Sequence, residues 1–147
     1  CKLEIQDNCI YITAPEQPRA VEVIKTLPYP GFPTDLQAIF MSYAAVARGT
    51  GMFVETVFES RYRHVEGLLK MGANVKVDGR IAVVKGVRRL KGAIVKANDI
   101  RGGAALVLAA LAAEGETTVE NVGLHIDRGY DNFDVRLKAI GADIISI

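Results

Sequence analysis

The sequence predicts a mixed α/β (α+β) fold of two similar units, each setting a small sheet against helices that pack together on one side. Three observations carry this. Segments alternating with period two give way to segments of helical periodicity. Short motifs recur once along the chain, at offsets of 64 to 69 residues. Glycines stand at matching places in both copies.

The repeat can be followed residue by residue. Arg48-Gly-Thr-Gly-Met-Phe-Val-Glu-Thr-Val matches Glu114-Gly-Glu-Thr-Thr-Val-Glu-Asn-Val, Leu69-Lys-Met-Gly-Ala-Asn-Val matches Lys138-Ala-Ile-Gly-Ala-Asp-Ile, and Thr34-Asp35-Leu36 matches Asn98-Asp99-Ile100. Each unit opens with alternating runs around a turn, at Asp7-Asn8 and at Asp78-Gly79. Asp-Gly in that setting predicts a type I′ hairpin, in which both turn residues take positive φ. A strand follows, Val21 to Thr26 or Ala93 to Lys96. A loop then delivers Asp35 or Asp99 to a helix over 35–48 or 99–113, ended by Gly49 or Gly115. Next come a strand (52–58 or 117–122), a loop bearing Arg61 or Arg128, and a second helix (63–71 or 130–140) stopped by Gly72 or Gly141. The units span 2–72 and 73–141, with a final strand at 142–147. Such an order implies sheets with the helices gathered on one side. The helix from Ile100 to Ala113 is apolar around most of its circumference, which places it in a core. Two units cover only part of it, so a further neighbour is expected, either another chain segment or a second copy in a homodimer.

Composition narrows the classes of function. A chain of 147 residues fits one domain, half hydrophobic and 24% charged. Its longest apolar run, Ala104 to Ala113, is too short to cross a bilayer, so no membrane span is expected. A net charge of +1 gives no reason to expect nucleic acid as a partner. The basic residues between Lys85 and Lys96 are interleaved with Val, Gly and Leu, as on a solvated strand face. Cys1 and Cys9 lack metal-site spacing and His64 lies far from His125, so no metal is expected. Sparse cysteine suits a reducing cytoplasm, and nothing resembles a signal peptide. The chain opens in the middle of a strand pattern, without Met, as a piece of a longer protein would.

The chemistry-bearing residues are few. Asp35 and Asp99 stand at helix starts, where a carboxylate caps backbone N–H groups. Asp35 also follows Pro28-Tyr-Pro-Gly-Phe-Pro-Thr, a stiff loop able to fix a carboxylate that takes a proton from a hydroxyl. Arg61, Arg101 and Arg128 lie at or beside helix starts. Singly they read as surface or packing residues; together they suit a phosphate or carboxylate. No phosphate-binding glycine loop occurs, Gly102-Gly103 reads as helix packing, and no nucleophile has a paired base.

Pro30-Gly-Phe-Pro-Thr-Asp35, Glu59-Ser-Arg61-Tyr-Arg-His64, Ala97-Asn-Asp99-Ile-Arg101 and His125-Ile-Asp127-Arg128-Gly-Tyr130 follow one another in this order. The set resembles the enolpyruvyl transferase family over residues 2–147, in particular its peptidoglycan-precursor branch. The resemblance implies a pseudo-symmetric inside-out barrel, with sheets outside and helices buried, in which three units make a domain. This chain would hold about two, as a partial C-terminal repeat domain. It implies transfer of the enolpyruvyl group of phosphoenolpyruvate to the 3-hydroxyl of UDP-N-acetylglucosamine, the first committed step of peptidoglycan synthesis, with phosphate released and no cofactor. Asp35 is then the base facing that hydroxyl, and Arg128 binds phosphoenolpyruvate after domain closure. Val57 and Phe58 line the UDP-sugar site, Asp99 and Arg101 order the closed state, and Arg61 is a charged cleft residue. The family's N-terminal lysine and the mobile loop bearing its catalytic acid have no counterpart here, and neither Cys1 nor Cys9 takes that role. The isolated chain is therefore expected to be inactive. Two other readings stand beside this one: a relative using 3-phosphoshikimate as acceptor, and a non-catalytic repeat module.

Overall fold

A computed structural model describes residues 2–15 and 17–146; Cys1 lies outside them. In chain order the elements are β1 (Lys2–Gln6), β2 (Cys9–Thr13), β3 (Val23–Lys25), α1 (Thr34–Val46), β4 (Thr50–Val54), α2 (Val65–Lys70), β5 (Asn74–Asp78) and β6 (Ile81–Lys85). There follow β7 (Leu90–Lys91), β8 (Ile94–Lys96), α3 (Ile100–Leu111), β9 (Ala113–Glu114), β10 (Thr118–Glu120), α4 (Val122–His125) and α5 (Phe133–Ala139).

The largest sheet has the order β3-β4-β6-β5, with β3 parallel to β4 and β6 antiparallel to both its neighbours. Its alternation turns Ile24, Phe53, Val75, Ala82 and Val84 inward, where all are buried. Helix α1 lies beneath this sheet and packs along α3. Ser42 Oγ donates to the Ala105 carbonyl at 2.8 Å across that helix pair. Gly102 to Val107 and Ala109 are buried, so the neighbours present already cover most of α3. The uncovered surface expected of this helix shrinks to Ile100 and Arg101 at its start and Leu108, Ala110 and Leu111 near its end. Two parallel pairs, β8–β10 and β7–β9, stand apart from the large sheet, as does the hairpin β1–β2. One core joins α1, α2, α3 and the large sheet; a smaller one gathers Ala97, Val107, Ile126 and Leu137.

Helix endings separate the four glycines read as stops. Gly72 and Gly141 follow the C-caps of α2 and α5 with φ of 84° and 97°. In each, the amide two residues past the C-cap returns to the carbonyl three before it: Ala73 N to Leu68 O at 2.9 Å, and Ala142 N to Leu137 O at 3.0 Å. This is a Schellman ending, which a residue with a Cβ would strain. Gly49 and Gly115 are not helix stops. Helices α1 and α3 end at Val46 and Leu111, and these two glycines turn the chain toward β4 and β10.

Other expectations are corrected. The hairpin loops are Asp7-Asn8 and Gly79-Arg80, and in each only the first residue has positive φ. A type I′ turn needs positive φ at both residues, so neither loop is one. The strand expected over 52–58 ends at Val54, because the Glu55 side chain folds back to bond the amides of Val57 and Phe58. No strand forms over 142–146, and Ile147 lies outside the described residues. Ala142 is taken up by the α5 ending, and it packs with Ile144 on the smaller core. Among the described residues no helix is long and apolar enough to cross a membrane.

Candidate active site

The loop before α1 is fixed by its own backbone. Gly31 N donates to Pro28 O at 2.8 Å and Leu27 N to Phe32 O at 2.9 Å, while Phe32 meets Phe40 edge-to-face at 5.1 Å. Pro33 occupies the N-cap and offers no side-chain acceptor. Asp35 therefore sits inside the first turn, and it is not the cap. Its carboxylate is instead gripped from two sides, by Arg61 Nη2 on Oδ1 at 2.7 Å and by Arg101 Nη2 on Oδ2 at 2.9 Å. Burial acts to raise its pKa. The hydrogen bonds and charges of Arg101 and Arg61 outweigh that and leave it below the usual value.

Both arginines are oriented by aromatic rings. The Arg61 guanidinium lies 5.0 Å from the Phe58 ring centre, and that of Arg101 lies 5.2 Å from Tyr130. Arg61 is the more enclosed, with 16% of its side chain exposed against 53% for Asp35. Asp99 behaves differently from Asp35. It is the N-cap of α3, and its Oδ1 accepts from Gly102 N at 2.7 Å.

An open cleft of about 360 Å³ is lined by Asp35, Arg61, Asn98, Asp99, Ile100, Arg101 and His125. A second depression beside it shares Arg61 and Asp99 and adds Phe58, Glu59, Ser60 and Arg63. Asp35, Arg61, Asp99 and Arg101 thus line one cleft. Phe58 joins them at the margin, while Val57 lies outside both linings. Arg128 is not brought into the cleft; its side chain is exposed, in the turn after α4. That turn does reach the rim, since Gly129 packs against Ile100 and Tyr130 carries Arg101.

Two buried polar residues escaped the sequence reading. Glu55 Oε1 accepts from Thr26 Oγ1 (3.0 Å), Val57 N (2.8 Å) and Phe58 N (3.1 Å), and its Oε2 accepts from Thr34 Oγ1 (2.9 Å). One carboxylate thereby ties the start of α1, and with it Asp35, to the turn carrying Phe58. The signal was the two-residue spacing from Phe53, which turns Glu55 to the same inner side as that ring, just past the end of β4. His64 is buried behind Asp99, and neither ring nitrogen has a partner. Burial depresses its pKa to about 4 against the pull of Asp99, so the ring is neutral at pH 7. Gly102 leaves it room, because a Cβ there would stand 2.9 Å from His64 Cβ and 2.8 Å from Asp99 Oδ2.

The chain is similar to several known proteins along nearly its whole length. The family described as EPSP synthase (3-phosphoshikimate 1-carboxyvinyltransferase) matches residues 2–137. UDP-N-acetylglucosamine 1-carboxyvinyltransferase 2 of Caldanaerobacter subterraneus subsp. tengcongensis is 50% identical over 147 residues, all of this chain and 35% of the relative. The enzyme named UDP-N-acetylglucosamine 1-carboxyvinyltransferase in Zymomonas mobilis is 49% identical over 142 residues, 97% of this chain and 33% of the relative. The chain thus spans about a third of the length of the curated relatives it matches. Among solved structures, the enolpyruvyl transferase NikO from Streptomyces tendae superposes with a TM-score of 0.80 at 26% identity, over 97% of this chain and 33% of that one. EPSP synthase from Acinetobacter baumannii shares the fold, with a TM-score of 0.65 at 18% identity over 99% of this chain and 34% of that one. Aligned along nearly its whole length with carboxyvinyl transferases, this chain belongs to the enolpyruvyl transferase family.

Proposed function

We propose that the chain forms one wall of the active site of a UDP-N-acetylglucosamine 1-carboxyvinyltransferase, which moves the enolpyruvyl group of phosphoenolpyruvate to the sugar 3-hydroxyl. The observation carrying this reading is the Asp35 carboxylate held between Arg61 and Arg101 at the mouth of the cleft. Relatives at about 50% identity bear that enzyme's name, which supports the choice of acceptor. The chain is read as part of a pseudo-symmetric inside-out domain, with units at 2–72 and 73–141.

The two guanidiniums would hold the anionic oxygens of phosphoenolpyruvate or of the sugar diphosphate by paired charge-assisted hydrogen bonds. As they turn to substrate, Asp35 loses part of the charge that depresses its pKa and becomes a stronger base. It then takes the proton of the 3-hydroxyl. As the freed oxygen bonds to the central carbon of phosphoenolpyruvate, the methylene carbon takes a proton from an acid in the rest of the protein. Loss of a proton from that carbon then re-forms the double bond, and phosphate departs with the electron pair of its C–O bond. Arg128, at the rim, joins phosphoenolpyruvate when the rest of the protein closes over the cleft. Asp99 acts indirectly by fixing the start of α3 and so the position of Arg101. The reaction belongs to the cytoplasm and uses no cofactor.

Full-length protein containing this chain should release phosphate from phosphoenolpyruvate when given UDP-N-acetylglucosamine, and not when given 3-phosphoshikimate. The reverse preference would favour the second reading, which the description of the matching family supports. The 147-residue chain alone should release none; release by the pure chain would overturn the one-wall assignment.

A further inference from the structure

Glu55 takes no part in the proton transfer itself, yet its side chain lies at a junction of the site. It is 1% exposed, stands just past the end of β4 and lines neither depression, so it does not touch a substrate held there. A carboxylate that only closes a turn needs one oxygen. Oε1 fills that need, accepting from Val57 N at 2.8 Å, Phe58 N at 3.1 Å and Thr26 Oγ1 at 3.0 Å. Oε2 is left over, and it accepts from Thr34 Oγ1 at 2.9 Å, on a different element. Closing the turn explains the first oxygen and not the second.

Two routes run from this carboxylate to Asp35. One follows the backbone: Thr34 precedes Asp35 and opens α1, and the cap position ahead of it, Pro33, offers no side-chain acceptor. The other passes through a ring. Phe58, whose amide Oε1 holds, places its ring 5.0 Å from the Arg61 guanidinium, and Arg61 Nη2 donates to Asp35 Oδ1 at 2.7 Å. Glu55 thereby fixes both the backbone that carries Asp35 and the cation that turns its carboxylate. The Asp35 side chain is 53% exposed, so packing alone does not set its rotamer. All four partners of Glu55 are neutral donors, and what the site draws from it is span: two oxygens that reach two elements at once.

We propose that Glu55 is a positioning residue for the transfer reaction, holding Asp35 and Arg61 at one spacing so that the base meets the acceptor hydroxyl within hydrogen-bond reach. This rests on the reading of Asp35 as that base. A reacting group displaced by about 1 Å can lose roughly 100-fold in rate, so a residue that touches no substrate can still set turnover. Phe58 also borders the second depression, so the same carboxylate registers the base on the wall where that turn stands.

Span and charge can be separated in full-length protein. Glu55→Asp keeps the charge but is one methylene too short to reach both elements, whereas Glu55→Gln keeps the span and loses the charge. With each variant assayed below its unfolding transition, Glu55→Asp should lower kcat for phosphate release about tenfold or more, and Glu55→Gln should retain most of the parent's turnover. A double-mutant cycle distinguishes positioning from a general loosening of the fold. In an Asp35→Ala background, Glu55→Asp should change the residual kcat by less than about twofold, because the group it positions is gone. A loss repeated in full in that background refutes the proposal, while the assignment of Asp35 as base stands. Full turnover in Glu55→Asp, or a greater loss in Glu55→Gln than in Glu55→Asp, refutes it equally. Parent-level turnover in Asp35→Ala alone overturns the base, and this proposal with it.

Discussion

Replacing Glu55 should destabilise the molecule more than removal of any exposed carboxylate. Glu55→Ala deletes the acceptor of two backbone amides and two hydroxyls. The hydroxyls can turn elsewhere, and Thr26 Oγ1 already lies 3.4 Å from the Val54 carbonyl. The amides of Val57 and Phe58 cannot rotate. Each lost bond to a charged acceptor is worth about 1.5–3 kcal/mol. Partial exposure of those two residues lets water return, and removing a buried charge recovers some desolvation, so the expected net loss is about 2–4 kcal/mol. Glu55→Gln keeps one carbonyl oxygen for three of the four partners and should lose about 1 kcal/mol. Urea unfolding at neutral pH, with protein concentration fixed, measures both. In a chain of this size each kcal/mol lowers Tm by about 2–4 °C. An alanine variant within about 0.5 kcal/mol of the parent would show that Glu55 does not hold the turn to α1.

Three other residues give measurable outcomes. His64 has a folded pKa of about 4, below its ordinary 6.5, so the unfolded chain binds the extra proton first. Stability should be complete above pH 6.5 and should fall by up to about 3 kcal/mol as pH drops toward 4, and urea titrations should find that slope flattened in His64→Leu. Gly102→Ala forces a Cβ against Asp99 and His64 and should cost about 1–3 kcal/mol, read as a lowered Tm. In full-length protein Arg101→Lys loses the planar contact with Tyr130 and half of the grip on anions, and should raise the KM for phosphoenolpyruvate roughly tenfold or more in steady-state kinetics.

How far the sequence reached varies by residue. The main helices and the Schellman glycines were legible because each rests on a local rule. Asp35 and Asp99 occupy matching motifs, and sequence could not separate them. Helix α1 begins at Thr34, before its aspartate, whereas α3 begins at Ile100, after its own. That small shift makes one carboxylate a cap and frees the other for the arginines. Arg61 and Arg101 come from segments far apart in sequence and meet at Asp35, where the packing of α3 along α1 brings Arg101. Arg128 was expected among them, but the short helix α4 and its turn leave that side chain exposed at the rim. The alternation over 142–146 finds no pairing partner among the described strands. An alternating pattern states a preference, and only a neighbour turns it into a strand.

If Asp35 is the group that accepts the hydroxyl proton, catalysis and stability must part company when it is removed. In full-length protein, Asp35→Ala should cut kcat for phosphate release by about 100-fold or more. Its unfolding free energy should change by less than about 1 kcal/mol, as expected for an exposed ion pair. Retained turnover, or a loss explained by unfolding alone, would leave Asp35 a structural carboxylate.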